Sequence, residues 1–211
     1  MKLHFEDFIY GSIDGSVTTF AIVAGVIGAS LSPEIILILG FGNLFADGFA
    51  MAAGSYHASK ARNQFIEMKR KQEEWEIDNM AEQEKDEIRE IYKKKGFKDE
   101  LLEEIIKTIT SRRKVWVDTM MKEELGLIED EKGPLDSSVS TFVGFNLIGV
   151  IPLIPFMIFI FMGINTTSES FVYSIISVMV AFFLVGMIKG KIVKKSKIKS
   201  GFYTLIIGGI A

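Results

Sequence analysis

Apolar and polar positions fall along this chain in long blocks, with neither the strict alternation of strands nor the single stripe of soluble helices. Residues 8 to 57 and 137 to 188 carry almost no charge, whereas residues 58 to 136 hold 17 of the 24 Lys and Arg and 21 of the 27 acidic residues. Crossing a hydrocarbon core takes about 20 residues at 1.5 Å rise. The apolar blocks contain four runs of that length, near residues 8 to 30, 34 to 57, 138 to 162 and 168 to 188. They are joined by the turns Ser30-Leu31-Ser32-Pro33 and Gly163-Ile164-Asn165-Thr166. A further apolar stretch runs from Gly201 to Ala211, too short to cross alone. It reads either as a fifth span incomplete in this sequence, the preferred reading, or as a segment that does not traverse. The expected architecture is therefore an all-α polytopic membrane protein of five transmembrane helices, the last incomplete. Residues 1 to 57 form spans 1 and 2, 58 to 136 a cytosolic helical domain, and 137 to 211 spans 3 to 5. The first stretch lacks a small-residue cleavage pattern and contains Asp14, so it reads as a retained span and not a removed signal peptide.

Within the charged insert the sparse apolar residues return at helical spacing: Ile88, Ile91 and Tyr92, then Leu101, Leu102, Ile105, Ile106 and Ile109. Lys95-Gly96-Phe97 followed by Asp99 has the composition of a helix stop and restart. About three helices are expected: one running on from the second span through Glu67 and Glu76 toward Tyr92, one near 99 to 110, and one near 111 to 126. Gly133-Pro134 marks the return to the membrane.

Charge adds an orientation. Every Lys and Arg lies at Lys2, in the insert, or among Lys189, Lys191, Lys194, Lys195, Lys197 and Lys199. Threading the chain through the spans brings these three regions to one face, which the positive-inside rule makes cytosolic. The net charge of −3, with both signs intermixed, gives no basis for a nucleic-acid partner. With no cysteine, any metal is held by oxygen, nitrogen or thioether donors. His4 and His57 are too few and too far apart for a histidine site.

The candidate chemistry sits in two places. Asp14 lies inside the first span, where an ionised carboxylate costs roughly 2.5 to 3.5 kcal/mol on insertion scales. It is either solvated near the cytosolic end or a pathway carboxylate for a cation or proton. Asn43, Asp47 and Met51 follow at spacings of four in the second span, along one helix stripe. Met51 by itself reads as packing; alignment with two oxygen donors gives it a second reading as a soft ligand. In the insert, Glu73, Glu76, Glu84 and Glu87 fall within about 80° of one another on a continuous helix, with Met80 on the same stripe. They form either a metal-binding face or ordinary solvated surface, and the off-face Glu74, Glu82 and Glu90 show how easily the latter arises. Met120, Met121 and Glu124 share one side of a later helix. Carboxylate with thioether suits a borderline ion such as Fe²⁺ better than Ca²⁺ or Mg²⁺, the bland alternative being two methionines packed inward.

These motifs together carry a resemblance: Asp14-Gly15 in span 1, Asn43-Leu44-Phe45-Ala46-Asp47-Gly48-Phe49-Ala50-Met51 in span 2, the Glu-rich insert, Met120-Met121-Lys122-Glu123-Glu124-Leu125-Gly126-Leu127, and Ile151-Pro152-Leu153-Ile154-Pro155-Phe156 in span 3. The chain resembles the vacuolar iron transporter family over essentially its whole length. The resemblance implies a five-span homodimer that exports Fe²⁺ from the cytosol in exchange for protons and accepts Mn²⁺ and other divalent ions such as Zn²⁺ or Co²⁺. It also implies path roles for Asp14 and Met51 and cytosolic ligand roles for Glu73, Glu76, Glu84, Glu87, Met120, Met121 and Glu124. One position departs: plant members carry a glutamate where this chain has Asn43, and Asp47, one turn on, is placed to supply the missing charge. The membrane would be the plasma membrane in a prokaryote and a vacuolar membrane in a eukaryote. Two rivals stand beside this reading. A membrane-anchored metal buffer or sensor would not need polar residues inside its spans. A membrane di-iron enzyme would want a Glu-x-x-His motif, which the sequence lacks, so no enzyme is expected.

Overall fold

A computed structural model describes residues 3 to 128, 132 to 163 and 167 to 210, and among them every regular element is a helix. The helices are α1 (Phe5–Gly28), α2 (Pro33–Asn79), α3 (Ala81–Lys94), α4 (Asp99–Thr110), α5 (Arg113–Glu123), α6 (Pro134–Gly149), α7 (Ile154–Phe161), α8 (Thr167–Ile192) and α9 (Lys197–Ile210). The chain divides into two compact units, one of Met1–Ser59 with Lys132–Ala211 and one of Lys60–Glu131.

The first unit holds the apolar helices. Among the described residues, four segments are long and apolar enough to cross a membrane: Phe5–Gly28, Pro33–Asn79 through its apolar N-terminal part, Pro134–Phe161 and Glu169–Ile192. The chain is thus an integral membrane protein. Pro134 opens α6 at a first-turn position where its missing N–H costs nothing. The third apolar segment is interrupted by a 3₁₀ turn over Ile151–Leu153, which contains Pro152 and is followed by Pro155 in the first turn of the next helix, and which divides the segment into α6 and α7. Proline cannot donate to the helix ladder, so the interruption follows from its chemistry. The second expected turn falls on residues 164 to 166, outside the described residues; Gly163 before it has φ +68°. α9 has 14 residues and packs along α8.

α1 and α6 meet backbone to backbone. A Cβ on Gly11 would lie 2.2 Å from Thr141 O, and one on Gly144 2.2 Å from Phe8 O. Only glycine permits this approach, which is how helices associate where burial in lipid offers no hydrophobic gain. Beside it, Val23, Val26, Ile36, Leu44, Phe145, Leu153 and Phe156 form the unit's core. One end of α1 is pinned by polar contacts: Lys132 pairs with Asp7 at 2.8 Å, and the His4 N–H donates to Ser140 Oγ at 2.8 Å.

The second unit is a small bundle of the end of α2 with α3, α4 and α5. Its core contains Ile66, Ile77, Ile88, Leu102, Ile106, Ile109, Trp116, Val117, Met120 and Met121. Ion pairs rim it, including Arg70 with Asp118 at 2.7 Å, Arg113 with Asp78 at 2.9 Å, and Lys95 with Glu123. The helix stop at Gly96 is realised, with φ +98° there and α4 beginning at Asp99. The long first helix of the insert is not: it breaks at Met80, whose φ of −132° and ψ of 35° end α2 and start α3.

Candidate metal centre

The break at Met80 builds the site. Glu73 and Glu84 on one unbroken helix would be separated by roughly 16 Å of rise. Because α3 departs from the axis of α2 at Met80, a carboxylate oxygen from each of Glu73, Glu84 and Glu124 instead lies within 4.8 Å of the others. Oxygens that share a cation at 2.0–2.6 Å are at most roughly 4 to 5 Å apart, so the cluster has the span of a divalent-ion site. Glu73 comes from the last turns of α2, Glu84 from the first turn of α3, and Glu124 from the residue that caps α5.

The surroundings are unusual for acids. Glu73 is 2% exposed and Glu84 3%. The Oε2 atom of each is buried with no hydrogen-bond partner among the described residues. An unpaired carboxylate in such a place is costly. Burial first, then the charges of Glu124, Glu76 and Glu87, push the Glu73 carboxyl up to about 7. The Glu84 carboxyl is likewise pushed up to about 7, by burial and then by Glu87, Glu73, Glu76 and Glu124. Glu124 stands at the exposed rim with its carboxyl turned into the cluster. It is raised by partial desolvation, by the charges of Glu87 and Glu76, and by a hydrogen bond with Glu87. Five glutamates therefore repel one another at one locus, an arrangement that a divalent cation would relieve.

The other expected ligands divide. Glu76 and Glu87 are half-buried electrostatic neighbours of the triad. Met120 and Met121 are 0% and 2% exposed, packed in the apolar core with Ile88 and Trp116. The surplus acids behave as surface: Glu82 pairs with Lys85 at 2.7 Å and Glu90 is exposed.

In the first unit Asp14, Asn43, Asp47 and Met51 are all half-buried. The charges of Asp14 and Asp47 are close enough to interact. Thr18, which the sequence reading passed over, links the two spans. Its hydroxyl donates to Asp14 O at 2.9 Å and accepts a long hydrogen bond of 3.5 Å from Asn43 Nδ2. The signal was present, since Thr18 follows Asp14 by four and shares its face of α1. Met51 packs against the core around Leu44 and Phe145.

Fold and site together define a polytopic helical membrane protein with a buried carboxylate cluster suited to a divalent cation. The match to known proteins is specific. The VIT family model covers residues 5 to 211, and the chain belongs to that family. It is 34% identical to a protein of Plasmodium falciparum (isolate 3D7) named vacuolar iron transporter, over all of this chain and 79% of that one. A Toxoplasma gondii protein of the same name is 36% identical over 96% of this chain and 69% of its own length. Vacuolar iron transporter 1 of Arabidopsis thaliana is 32% identical, over 98% of this chain and 81% of its own. These relatives are named as transporters, in agreement with the expectation that the chain is no enzyme.

Proposed function

We propose that this protein is a divalent-metal transporter that moves Fe²⁺, and with it Mn²⁺ and similar ions such as Zn²⁺ or Co²⁺, out of the cytosol in exchange for protons. The observation that carries the proposal is the triad of Glu73, Glu84 and Glu124, in which the buried Oε2 atoms of Glu73 and Glu84 have no hydrogen-bond partner among the described residues. The names of the relatives supply the ion. In this reading residues 58 to 136 form a cytosolic capture domain, the N-terminus is cytosolic, and α9 belongs to a fifth span. The run of lysines after α8 supports that orientation. A homodimer is supported by Phe65, Met68 and Trp75, exposed at 48%, 52% and 58% along one side of α2 within the second unit. Exposed apolar side chains lined up outside lipid are the kind of surface that a second copy would cover.

Two steps follow from the chemistry. Capture requires ionised carboxylates, so the proton and the metal compete for Glu73 and Glu84 near neutral pH. Passage then uses the sparser donors of the spans, Asp14, Asn43, Asp47 and Met51, with Asp47 carrying the charge that Asn43 does not. Met120 and Met121 would add thioether donors once their packing relaxes toward the ion.

The test is reconstitution in liposomes with an imposed pH gradient, following Fe²⁺ and Mn²⁺ uptake. Uptake that depends on the gradient and disappears in Asp14→Ala supports transport. Metal binding without passage under any gradient would replace this reading with the membrane-anchored buffer.

A further inference from the structure

The lysines after the fourth span belong neither to the carboxylate cluster nor to the polar set in α1 and α2, yet three of them converge. α8 and α9 meet in a tight elbow. Lys194 adopts φ +53°, the Lys195 N–H donates to Gly190 O at 2.9 Å, and Ser196 Oγ accepts the Lys199 N–H at 3.5 Å. The helices touch closely enough to fix the elbow: a Cβ on Gly186 would lie 2.6 Å from Ser200 O. An open cavity of about 610 Å³ lies there, lined by Lys189, Lys195 and Lys199 together with Val193, Ser196, Ser200 and Tyr203.

No carboxylate balances these ammonium groups among the described residues. The sequence contains no acidic residue after Glu169, which lies at the far end of α8, roughly 30 Å of helix away. Converging like charges repel unless an anion sits among them. Hydroxyls at Ser196, Ser200 and Tyr203 add neutral donors. Next to the charged ring, Ile188, Ile192, Val193, Ile198 and Phe202 are each 46% or more exposed. A soluble phosphate would use the first feature and leave the second unexplained, whereas an amphiphile uses both.

We propose that the α8–α9 elbow binds the headgroup of an anionic phospholipid, its phosphodiester held by Lys189, Lys195 and Lys199 and its acyl chains lying along the exposed apolar flank. Basic pockets between membrane helices are suited to such headgroups, and each lysine near the surface contributes on the order of a fivefold gain in binding. The positive-inside rule alone requires lysines at this end but not their convergence in one cavity.

The full-length protein in detergent is titrated with phosphatidylglycerol. Retained lipid is counted by native mass spectrometry, and thermal stability is followed in parallel. Lys189→Gln/Lys195→Gln/Lys199→Gln should lower retention at least roughly tenfold and abolish the thermal shift. Lys191→Gln/Lys194→Gln/Lys197→Gln, which removes the same charge outside the cavity, should retain the lipid. The corresponding triple Arg variant of the cavity lysines should also bind, showing that the elbow still folds. Equal loss in both Gln variants, or loss in neither, overturns the site. Inorganic phosphate or glycerol phosphate that reproduces the thermal shift and displaces the lipid at millimolar concentration overturns the assignment to a lipid.

Discussion

The carboxylates of the second unit and those of the first meet the problem of buried charge in opposite ways. Glu73 and Glu84 are concentrated and almost fully enclosed, with the Oε2 of each lacking a hydrogen-bond partner among the described residues, so their local repulsion is high. Asp14 and Asp47 are only half-buried, and beside them Asn43 and Thr18 tie α1 to α2 through a single long neutral hydrogen bond. The first arrangement stores unfavourable energy that a bound cation would release, which under the proposed function would make for strong, pH-sensitive capture. The second leaves little to be released, which suits an ion that has to move on. A transporter needs both, and a buffer needs only the first.

The sharpest way to break this comparison is Asp14→Ala, which should reduce liposome uptake to background while leaving metal affinity in the second unit unchanged by calorimetry. Loss of binding as well would mean that the two sets are not separate. Next in size, Glu73→Gln with Glu84→Gln should weaken Mn²⁺ binding by at least roughly a hundredfold, with uptake slowed and still measurable at high metal concentration.

A third outcome concerns pH. Because the folded-state carboxyls of Glu73 and Glu84 are raised to about 7 from a usual 4.5, the folded protein holds protons that the unfolded chain has released between those values. The metal-free protein should therefore melt at progressively lower temperature as pH rises from about 5 to about 7.5. Saturating Mn²⁺ should reverse that trend, and the double Gln variant should flatten it. A metal-free melting temperature that climbs with pH over this range would contradict the assigned environment. Smaller still, Gly144→Ala should disturb the α1–α6 crossing by about 1–3 kcal/mol, read as a lower melting temperature and reduced uptake with intact metal binding. The smallest effect is expected for Thr18→Val: a change of a few fold in uptake, matching the loss of hydrogen bonds worth about 1 kcal/mol each.

The apolar runs were legible because lipid demands long uncharged stretches, and α1, the α6–α7 pair and α8 begin and end within about four residues of them, whereas α2 runs on to Asn79 so that no helix end marks the close of the second run. α1 and α6 begin earlier, at Phe5 and Pro134, since polar first turns are tolerated where helices leave the hydrocarbon. The 3₁₀ turn at Ile151–Leu153 was written in Pro152 and Pro155, but hydropathy is blind to it. The stripe of Glu73 and Glu84 was legible for an incomplete reason. Periodicity put them on one side of a continuous helix, while the proximity comes from a break at Met80 that no proline or glycine announces. Glu124 was recognisable only through its motif, because its approach depends on how α5 packs, a tertiary fact. Met120 and Met121 illustrate the opposite case. Their type and spacing allowed both ligand and core, and the structure seats them among Ile88, Trp116 and Val117.

The kink at Met80 has one more consequence. An ion gripping Glu73, Glu84 and Glu124 would tie together the end of α2, the start of α3 and the end of α5, closing most of the second unit into a loop with a reversible cross-link. Loop closure removes conformational freedom from the open chain in the manner of a disulfide, but this fastener is supplied and withdrawn by the surrounding metal. The capture domain would then stiffen when cargo is abundant and loosen when it is scarce, so that its protease resistance becomes a gauge of free metal.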